Sequence, residues 1–251
     1  MFFYGITDVG KRRTANQDNF IVIRYASDVA LAVVCDGMGG ANGGNVASTV
    51  ASTVFRDKMN DVEKEHPMFY GLTGDEILAA MSSAAKEANR AVHQLAMTDS
   101  SLKGMGTTLV GCLVSGEHAY VVNIGDSRLY RTRDNEIKQI SHDHSYVQYL
   151  VDMGKMSLEE AKNSKNKNLI TRAVGTERAV ESDLFTCDIQ AGDMIVLCSD
   201  GLTNHVEPKE IGETVSGIKS GDDIQSACES LVASANERGG LDNITAVILS
   251  I

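Results

Sequence analysis

Three strongly apolar stretches of this 251-residue chain each run out into an aspartate. VALAVVC from Val29 ends at Asp36-Gly37, AYVVNIG at Asp126, and DMIVLCS at Asp200-Gly201; a fourth aspartate, Asp242, stands just before the last apolar run. A single Asp-Gly after a strand is ordinarily a turn, because Gly tolerates positive φ and Asp hydrogen-bonds its own backbone. Four such ends, each attached to a strand expected in the core, are more economically read as carboxylates converging on one sheet edge. There they repel one another unless cations bind them. Oxygen-only ligation, with no His or Cys pattern beside it, suits Mg²⁺ or Mn²⁺ better than Zn²⁺ or copper.

Arg13, Gln17 and Asp18 stand directly before the first apolar run, FIVI from Phe20. An Arg five residues before an Asp is by itself an ordinary surface pair. Beside a pair of cations, a fixed guanidinium instead supplies the planar, bidentate donor that a phosphate monoester requires.

The elements that must position these groups follow from periodicity. Strands are predicted at FIVI, VALAVVC, TTLVGCLV from Thr107, HAYVVNI from His118, DMIVLCS from Asp193 and ITAVILS from Ile244. Between the second and third lie two helical stretches. The first places Val46, Val50 and Val54 on a face expected to pack on a sheet. The second opens with a capping box at Thr73 and Glu76 and carries Ile77, Met81, Ala84, Ala85, Ala88, Val92 and Leu95 on one stripe. From Ser145 to Lys167 the texture changes: capping boxes at Ser145/Gln148 and Ser157/Glu160 open short helices before the polar run KNSKNKN, which reads as a partly mobile insertion. A further amphipathic helix carries Ile224, Ala227, Cys228, Leu231, Val232 and Ala235 and is ended by Gly239 and Gly240. Strands that run in consecutive groups with helix pairs inserted favour layered antiparallel sheets over a doubly wound parallel one.

With 43% hydrophobic residues the chain can bury a substantial core as one domain. It has no run of about 20 apolar residues and no secretory leader, which points to a cytoplasmic protein without a membrane span. A net charge of −11 disfavours nucleic acid and anionic lipid as partners. The five cysteines show no CxxC spacing and read as small buried hydrophobes.

In order along nearly the whole chain, RRTANQD, VVCDGMGGANGG, GMGTTL, NIGDSRLYR, SHDHS, ITRAVG, CSDGL and LDNIT resemble the metal-dependent protein phosphatases of the type 2C (PPM) family, particularly its compact bacterial members. The resemblance implies an α+β fold, a four-layer αββα sandwich of two antiparallel β-sheets flanked by helices, forming one domain over 1–251 with a flap insertion at 145–168. It implies a protein-serine/threonine phosphatase that uses metal-activated water directly, with no phosphoenzyme. Carried over by position, Asp36 bridges two metals, the Gly37 carbonyl binds one, and Asp200 and Asp242 complete the other. Asp126 joins Asp200 at a third, weaker metal, Asp18 and Gln17 hold ordered waters, and Arg13 grips the substrate phosphate. The metals are Mn²⁺ or Mg²⁺. The implied partners are phosphorylated proteins, namely bacterial Ser/Thr kinases that the enzyme antagonises and their substrates, and the expected state is a monomer.

Two positions depart from the family's pattern. Met38 stands where eukaryotic members often carry a histidine, which removes a histidine general acid; His142 and His144 are read as orienting the flap or its base. Gln17 replaces a frequent Glu and leaves one charge fewer near a metal. The chain has no cysteine-nucleophile phosphatase loop, DxDx[TV] motif, GDxxDR string or GxxxxGK[ST] loop. A phosphatase dedicated to one regulatory partner and a non-catalytic phosphoprotein-binding module stay open as alternatives, although no core aspartate is missing.

Overall fold

The unbroken apolar runs are strands covered on both faces. In the computed structural model, which describes residues 1–40 and 43–251, they form two stacked antiparallel sheets. Ala41 and Asn42, within the VVCDGMGGANGG string, lie outside the described residues.

In chain order come β1 (Phe2–Asp8), β2 (Asp18–Arg24), β3 (Ala30–Met38), α1 (Gly43–Glu65), α2 (Gly74–Thr98), β4 (Gly106–Thr107), β5 (Leu109–Ser115) and β6 (His118–Ile124). There follow β7 (Arg128–Arg133), β8 (Glu136–Gln139), α3 (Tyr146–Asp152), α4 (Leu158–Lys162), β9 (Asp183–Asp188), β10 (Met194–Cys198), α5 (Asp200–Thr203), α6 (Pro208–Val215), α7 (Gly221–Glu237) and β11 (Ile244–Ser250). One sheet has the order β1-β11-β10-β7-β8; the other runs β2-β3-β5-β6-β9, with the short β4 beside β3. Helices α1 and α2 cover the second sheet and α5 to α7 the first, giving the expected four layers.

Alternation along each strand divides the core in three. In β3, Ala30, Ala32 and Val34 pack between the sheets while Leu31, Val33 and Cys35 meet α1 and α2. In β11, Val247 and Leu249 face the other sheet while Ile244, Ala246 and Ile248 meet α7. Among the described residues no helix is long and apolar enough to cross a membrane.

Helix α2 opens with the expected reciprocal capping box at Thr73 and Glu76, and its stripe is buried except for Leu95, which is exposed. Helix α1 differs from expectation by about a quarter of a turn. Its fully buried stripe is Ala47, Ala51, Phe55 and Met59, while Val46, Val50 and Val54 flank it half-buried. Small residues let the helix sit close to the sheet, and Phe55 fills the space above Gly111 of β5. A side chain at Gly111 would begin 3.0 Å from the Phe55 ring and 3.1 Å from Val122. Gly111→Val should therefore lift α1 and destabilise the fold by about 1–3 kcal/mol, read as a lower urea midpoint with an unchanged slope.

Candidate metal centre and its cleft

Between the sheets the inward rows are apolar until the strands end, and there the same alternation delivers polar groups. Strands β2 and β3 pair with Asp18 opposite Asp36. Asp18 continues the inward row of Phe20 and Val22, and Asp36 continues that of Ala30, Ala32 and Val34. From the facing sheet, Ser199 extends the row of Ile195 and Leu197, and Thr245 that of Val247 and Leu249. Ser199 Oγ and Thr245 Oγ1 each donate to Asp18 Oδ2 at 2.7 Å. Asp18 Oδ1 is buried with no partner among the described residues.

Asp36 is fixed through its backbone. Its N–H donates to Thr108 Oγ1 at 2.9 Å, and its carbonyl accepts from Thr108 N–H at 2.9 Å and from Thr107 Oγ1 at 2.8 Å. Gly37 N–H donates to the Gln17 carbonyl at 3.1 Å, and a β-carbon at Gly37 would run into the carbonyls of Gly44 and Gln17. The residue beside Asp36 must be glycine for these backbones to approach.

Asp126 follows Gly125, whose φ of +106° sends the chain back over Thr108. Gly125 is held on both sides by His144: its N–H donates to His144 Nδ1 at 3.1 Å, and its carbonyl accepts from His144 N–H at 2.9 Å. An accepting Nδ1 places the ring proton on Nε2, 3.2 Å from Asp183 Oδ2. Burial holds the His144 pKa down, in keeping with a neutral ring. Its neighbour Asp143 receives Arg128 in a bidentate pair, with Nη2 to Oδ2 at 2.7 Å. His142 pairs with Asp152 of α3 at 2.8 Å. The histidines thus anchor the base of the 145–168 segment, as expected, and neither borders the cleft.

Asp200 begins α5 and accepts from Asn204 Nδ2 at 3.0 Å. Asp242 accepts from Arg13 Nη2 at 2.7 Å through Oδ2 and from Asn243 N–H at 2.8 Å through Oδ1. Asn243 then lashes the loop that carries Arg13. Its Nδ2 donates to the carbonyls of Val9 and Ala15, each at 3.0 Å, and its Oδ1 accepts from Gln17 N–H at 2.8 Å. Thr108, Ser199, Asn243 and Thr245 are positioning residues that motif reading did not single out, and the hold of His144 on Gly125 is a role beyond the flap base expected of it. Their signal was only adjacency to the aspartate strings.

Asp36, Gly37, Asp126, Asp200 and Asp242 border one cleft of about 430 Å³ with Arg13; Asp18 lies beneath it. Arg13 pairs with Asp242 and not with the nearby Asp18. Gln17 also borders the cleft, where its Nε2 donates to the carbonyls of Gly40 at 3.2 Å and Gly39 at 3.4 Å. A Glu there would set a carboxylate against two carbonyl oxygens, so the amide suits this loop.

The carboxylates are electrostatically frustrated. Burial, then the charges of Asp18, Asp200, Asp126 and Asp242, pushes Asp36 well above the usual carboxylate range. Burial and Asp200 do the same to Asp126, and burial and Asp242 raise Asp200. Among the described residues no three carboxylate, histidine or cysteine side chains close into a cage for an ion by themselves, since Asp242 is turned to Arg13 and Asp200 to Asn204. Asp36, Asp126, Asp200 and Asp242 form an open, all-oxygen set with an unpartnered buried oxygen on Asp18 beneath them. That chemistry fits hard divalent ions that keep several waters.

The protein phosphatase 2C family model matches residues 10–240. A serine/threonine phosphatase, stp, of Listeria welshimeri is 36% identical over 243 residues, covering 97% of this chain and 93% of that protein. The crystal structure of the Mycobacterium tuberculosis serine/threonine phosphatase PstP/Ppp superposes with a TM-score of 0.86 at 33% identity, over 99% of this chain and 97% of that one. A structure described as the catalytic domain of the serine threonine protein phosphatase PstP in complex with two manganese ions superposes with a TM-score of 0.80 at 33% identity, over 98% of this chain and 96% of that one.

Burial first, opposed by the Thr245 and Ser199 hydrogen bonds and reinforced by Asp200 and Asp242, raises the Asp18 pKa from 3.8 to about 6. Between these values the metal-free fold holds a proton that the unfolded chain has released, so this contribution to stability is full below pH 4 and is lost as pH rises through 6. Asp18→Asn should therefore be more stable than the parent in EDTA at pH 7, by about 1–3 kcal/mol, and the gap should close by pH 4. Urea unfolding of both proteins at the two pH values measures it.

Proposed function

The chain belongs to the protein phosphatase 2C family, and from that premise we propose that it is a metal-dependent phosphatase that hydrolyses phosphoserine and phosphothreonine in proteins, with Mn²⁺ or Mg²⁺ as its ions. The observation that carries this reading is the set of Asp36, Asp126, Asp200 and Asp242 around a single cleft with the Arg13 guanidinium among them. Asp36, the Gly37 carbonyl, Asp200 and Asp242 would hold two ions. Asp126 and Asp200 offer a third, weaker position. The two manganese ions of the PstP catalytic domain support a count of two in the main site. Divalent ions bound there supply Lewis acidity toward the phosphoryl oxygens and make water nucleophilic near neutral pH.

The chain's own residues do the rest. Arg13 presents a rigid fork of N–H donors to the phosphoryl oxygens, and charge that builds on them in the transition state strengthens that contact. Asp18, with both hydroxyl donors on Oδ2, keeps Oδ1 as the acceptor for an ordered water. Met38 borders the cleft where a histidine would otherwise be the proton donor, and His142 and His144 are engaged elsewhere. Residues 1–251 work as one catalytic domain. Residues 145–168 form its flap, closed at the base by the Ser145–Ile170 bridge, with Asn168 and Ile170 forming part of the cleft wall. Phosphorylated proteins, among them Ser/Thr kinases and their targets, are the substrates of a monomeric enzyme that opposes those kinases.

Hydrolysis of a phosphothreonine peptide should need added Mn²⁺ or Mg²⁺ and stop in EDTA. Asp36→Ala should lower kcat/KM by at least on the order of 10²-fold. Asp126→Ala should slow turnover while calorimetry still counts two bound ions. Activity that persists in EDTA, or an Asp36→Ala enzyme as fast as the parent, excludes this reading.

A further inference from the structure

Acidic residues outnumber basic ones by 34 to 23 in this chain, yet two stretches gather basic residues with no acid among them. Residues 9–17 hold Lys11, Arg12 and Arg13, and residues 161–176 hold Lys162, Lys165, Lys167 and Arg172. Both reach the same cleft, the first through Arg13 and the second through Asn168 and Ile170. Within them Arg13, Lys162 and Arg172 are committed to Asp242, Glu207 and Asp183. Lys11, Arg12, Lys165 and Lys167 make no ion pair among the described residues; the first three are exposed and Lys167 is half-buried.

The backbones of Lys11 and Lys167 lie close to the mouth. Lys11 N–H donates to the Gly240 carbonyl at 2.8 Å, two residues before Asp242. Lys167 adjoins Asn168 of the cleft wall, and its N–H donates to the Ser164 carbonyl at 3.3 Å. It lies near enough to His205 to help hold that imidazole's pKa down, after burial. His205 Nε2 in turn accepts from Leu241 N–H at 3.4 Å, so the second stretch approaches the Gly240–Asp242 turn that the first stretch touches. Lys11 and Lys167, each with a further unpaired cation one or two residues away in the chain, Arg12 and Lys165, therefore stand at the rim of an acidic cleft on an acidic protein.

The reacting phosphate is already met by Arg13 and the ions, so the rim charges remain for the polypeptide on either side of it. Successive residues of an extended chain are about 3.3–3.6 Å apart, so positions a few residues from the phosphorylated one pass over the rim. We propose that Lys11, Arg12, Lys165 and Lys167 select phosphoprotein segments that carry a second anionic group, a carboxylate or a further phosphate, within a few residues of the one removed. This inference rests on the phosphatase reading of the cleft and adds its substrate class.

The test compares phosphothreonine peptides of equal length with neutral, Asp/Glu-bearing, doubly phosphorylated or Lys-bearing flanks. The enzymes are the Mn²⁺-loaded parent and the Lys11→Gln/Arg12→Gln/Lys165→Gln/Lys167→Gln variant, with p-nitrophenyl phosphate as the substrate without flanks. The parent should show a KM about three- to tenfold lower for the anionic peptides than for the neutral one, a gap that shrinks as salt rises. The variant should lose the gap while turning over p-nitrophenyl phosphate as the parent does. A preference for the Asp/Glu peptide alone assigns the rim to carboxylates, and one for the doubly phosphorylated peptide alone assigns it to phosphate. Equal KM across flanks, or a gap that survives in the variant, overturns the inference. Fluorescence anisotropy of the same peptides reads the rim independently of turnover. Preferential binding without hydrolysis would refute the phosphatase reading and leave the rim standing, whereas hydrolysis without preference would do the reverse.

Discussion

The structure turns on carboxylates forced together at the mouth of a β-sandwich. Asp18 and Asp36 lie directly opposite each other on paired strands and on the same inward face, where like charges are destabilising even in water. Asp200 and Asp242 arrive from the facing sheet, and Asp126 from the end of β6. A solvent-filled loop could separate these groups. Strand ends in fixed register cannot, so burial and mutual repulsion raise the pKa values of Asp18, Asp36, Asp126 and Asp200 together. The repulsion is stored in the fold itself, and hard cations relieve it best. Hydroxyl donors from Ser199 and Thr245 satisfy only one oxygen of Asp18 and leave the other unpartnered.

Holding such a cluster requires a polar frame that is neutral wherever it can be. Asn243 is the keystone on one side, because a single amide fixes three backbone positions of the loop that carries Arg13. Thr108 fixes Asp36 through main-chain contacts, and its Oγ1 reaches Ser127 at 2.7 Å, joining β3, β5 and the start of β7. On the far side His144 fixes Gly125 and hence the approach of Asp126. One charged brace, Arg128 with Asp143, is bidentate and largely enclosed, and its positive charge eases Asp126 and Asp200. The same pair ties the base of the 145–168 segment to β7 of one sheet, and the His144 contacts tie it to Gly125 at the end of β6 in the other.

How much of this was legible depends on what each strand faces. Strands β3, β5, β6, β10 and β11 are covered on both faces, so their runs are continuously apolar and easily found. Strand β9 is a sheet edge with one face in solvent, and its alternating DLFTCD does not stand out. Strand β1 is likewise an edge, with Phe2 exposed. Strands β7 and β8 escaped notice because RLYRTR and EIKQ are half polar. A signal was present between them: Asp134 and Asn135, both at positive φ, form the two-residue turn of a tight hairpin. The aspartates were legible because each ends an apolar run, and Arg13 because it sits beside one of them. Asn243 was not, and of His144 only its place at the flap base was, since the contacts of Asn243 with Gln17 and of His144 with Gly125 join residues 226 and 19 positions apart that no local pattern names.

That distance also explains why the site and the fold cannot be separated. Arg13 meets Asp242 across 229 positions and Asp18 meets Thr245 across 227, so each contact exists only when both sheets are complete. Register is the sensitive quantity. Because side chains alternate, a slip of one residue in β2 would turn Asp18 outward and bring Asn19 to the inward row, exchanging a carboxylate for an amide and exposing Phe20 and Val22 in the same step. The apolar rows between the sheets therefore do two jobs at once. By penalising every misregister of β2, β3, β10 and β11, hydrophobic burial aims the aspartates, and a centre with no hydrophobic character of its own inherits its geometry from the core behind it.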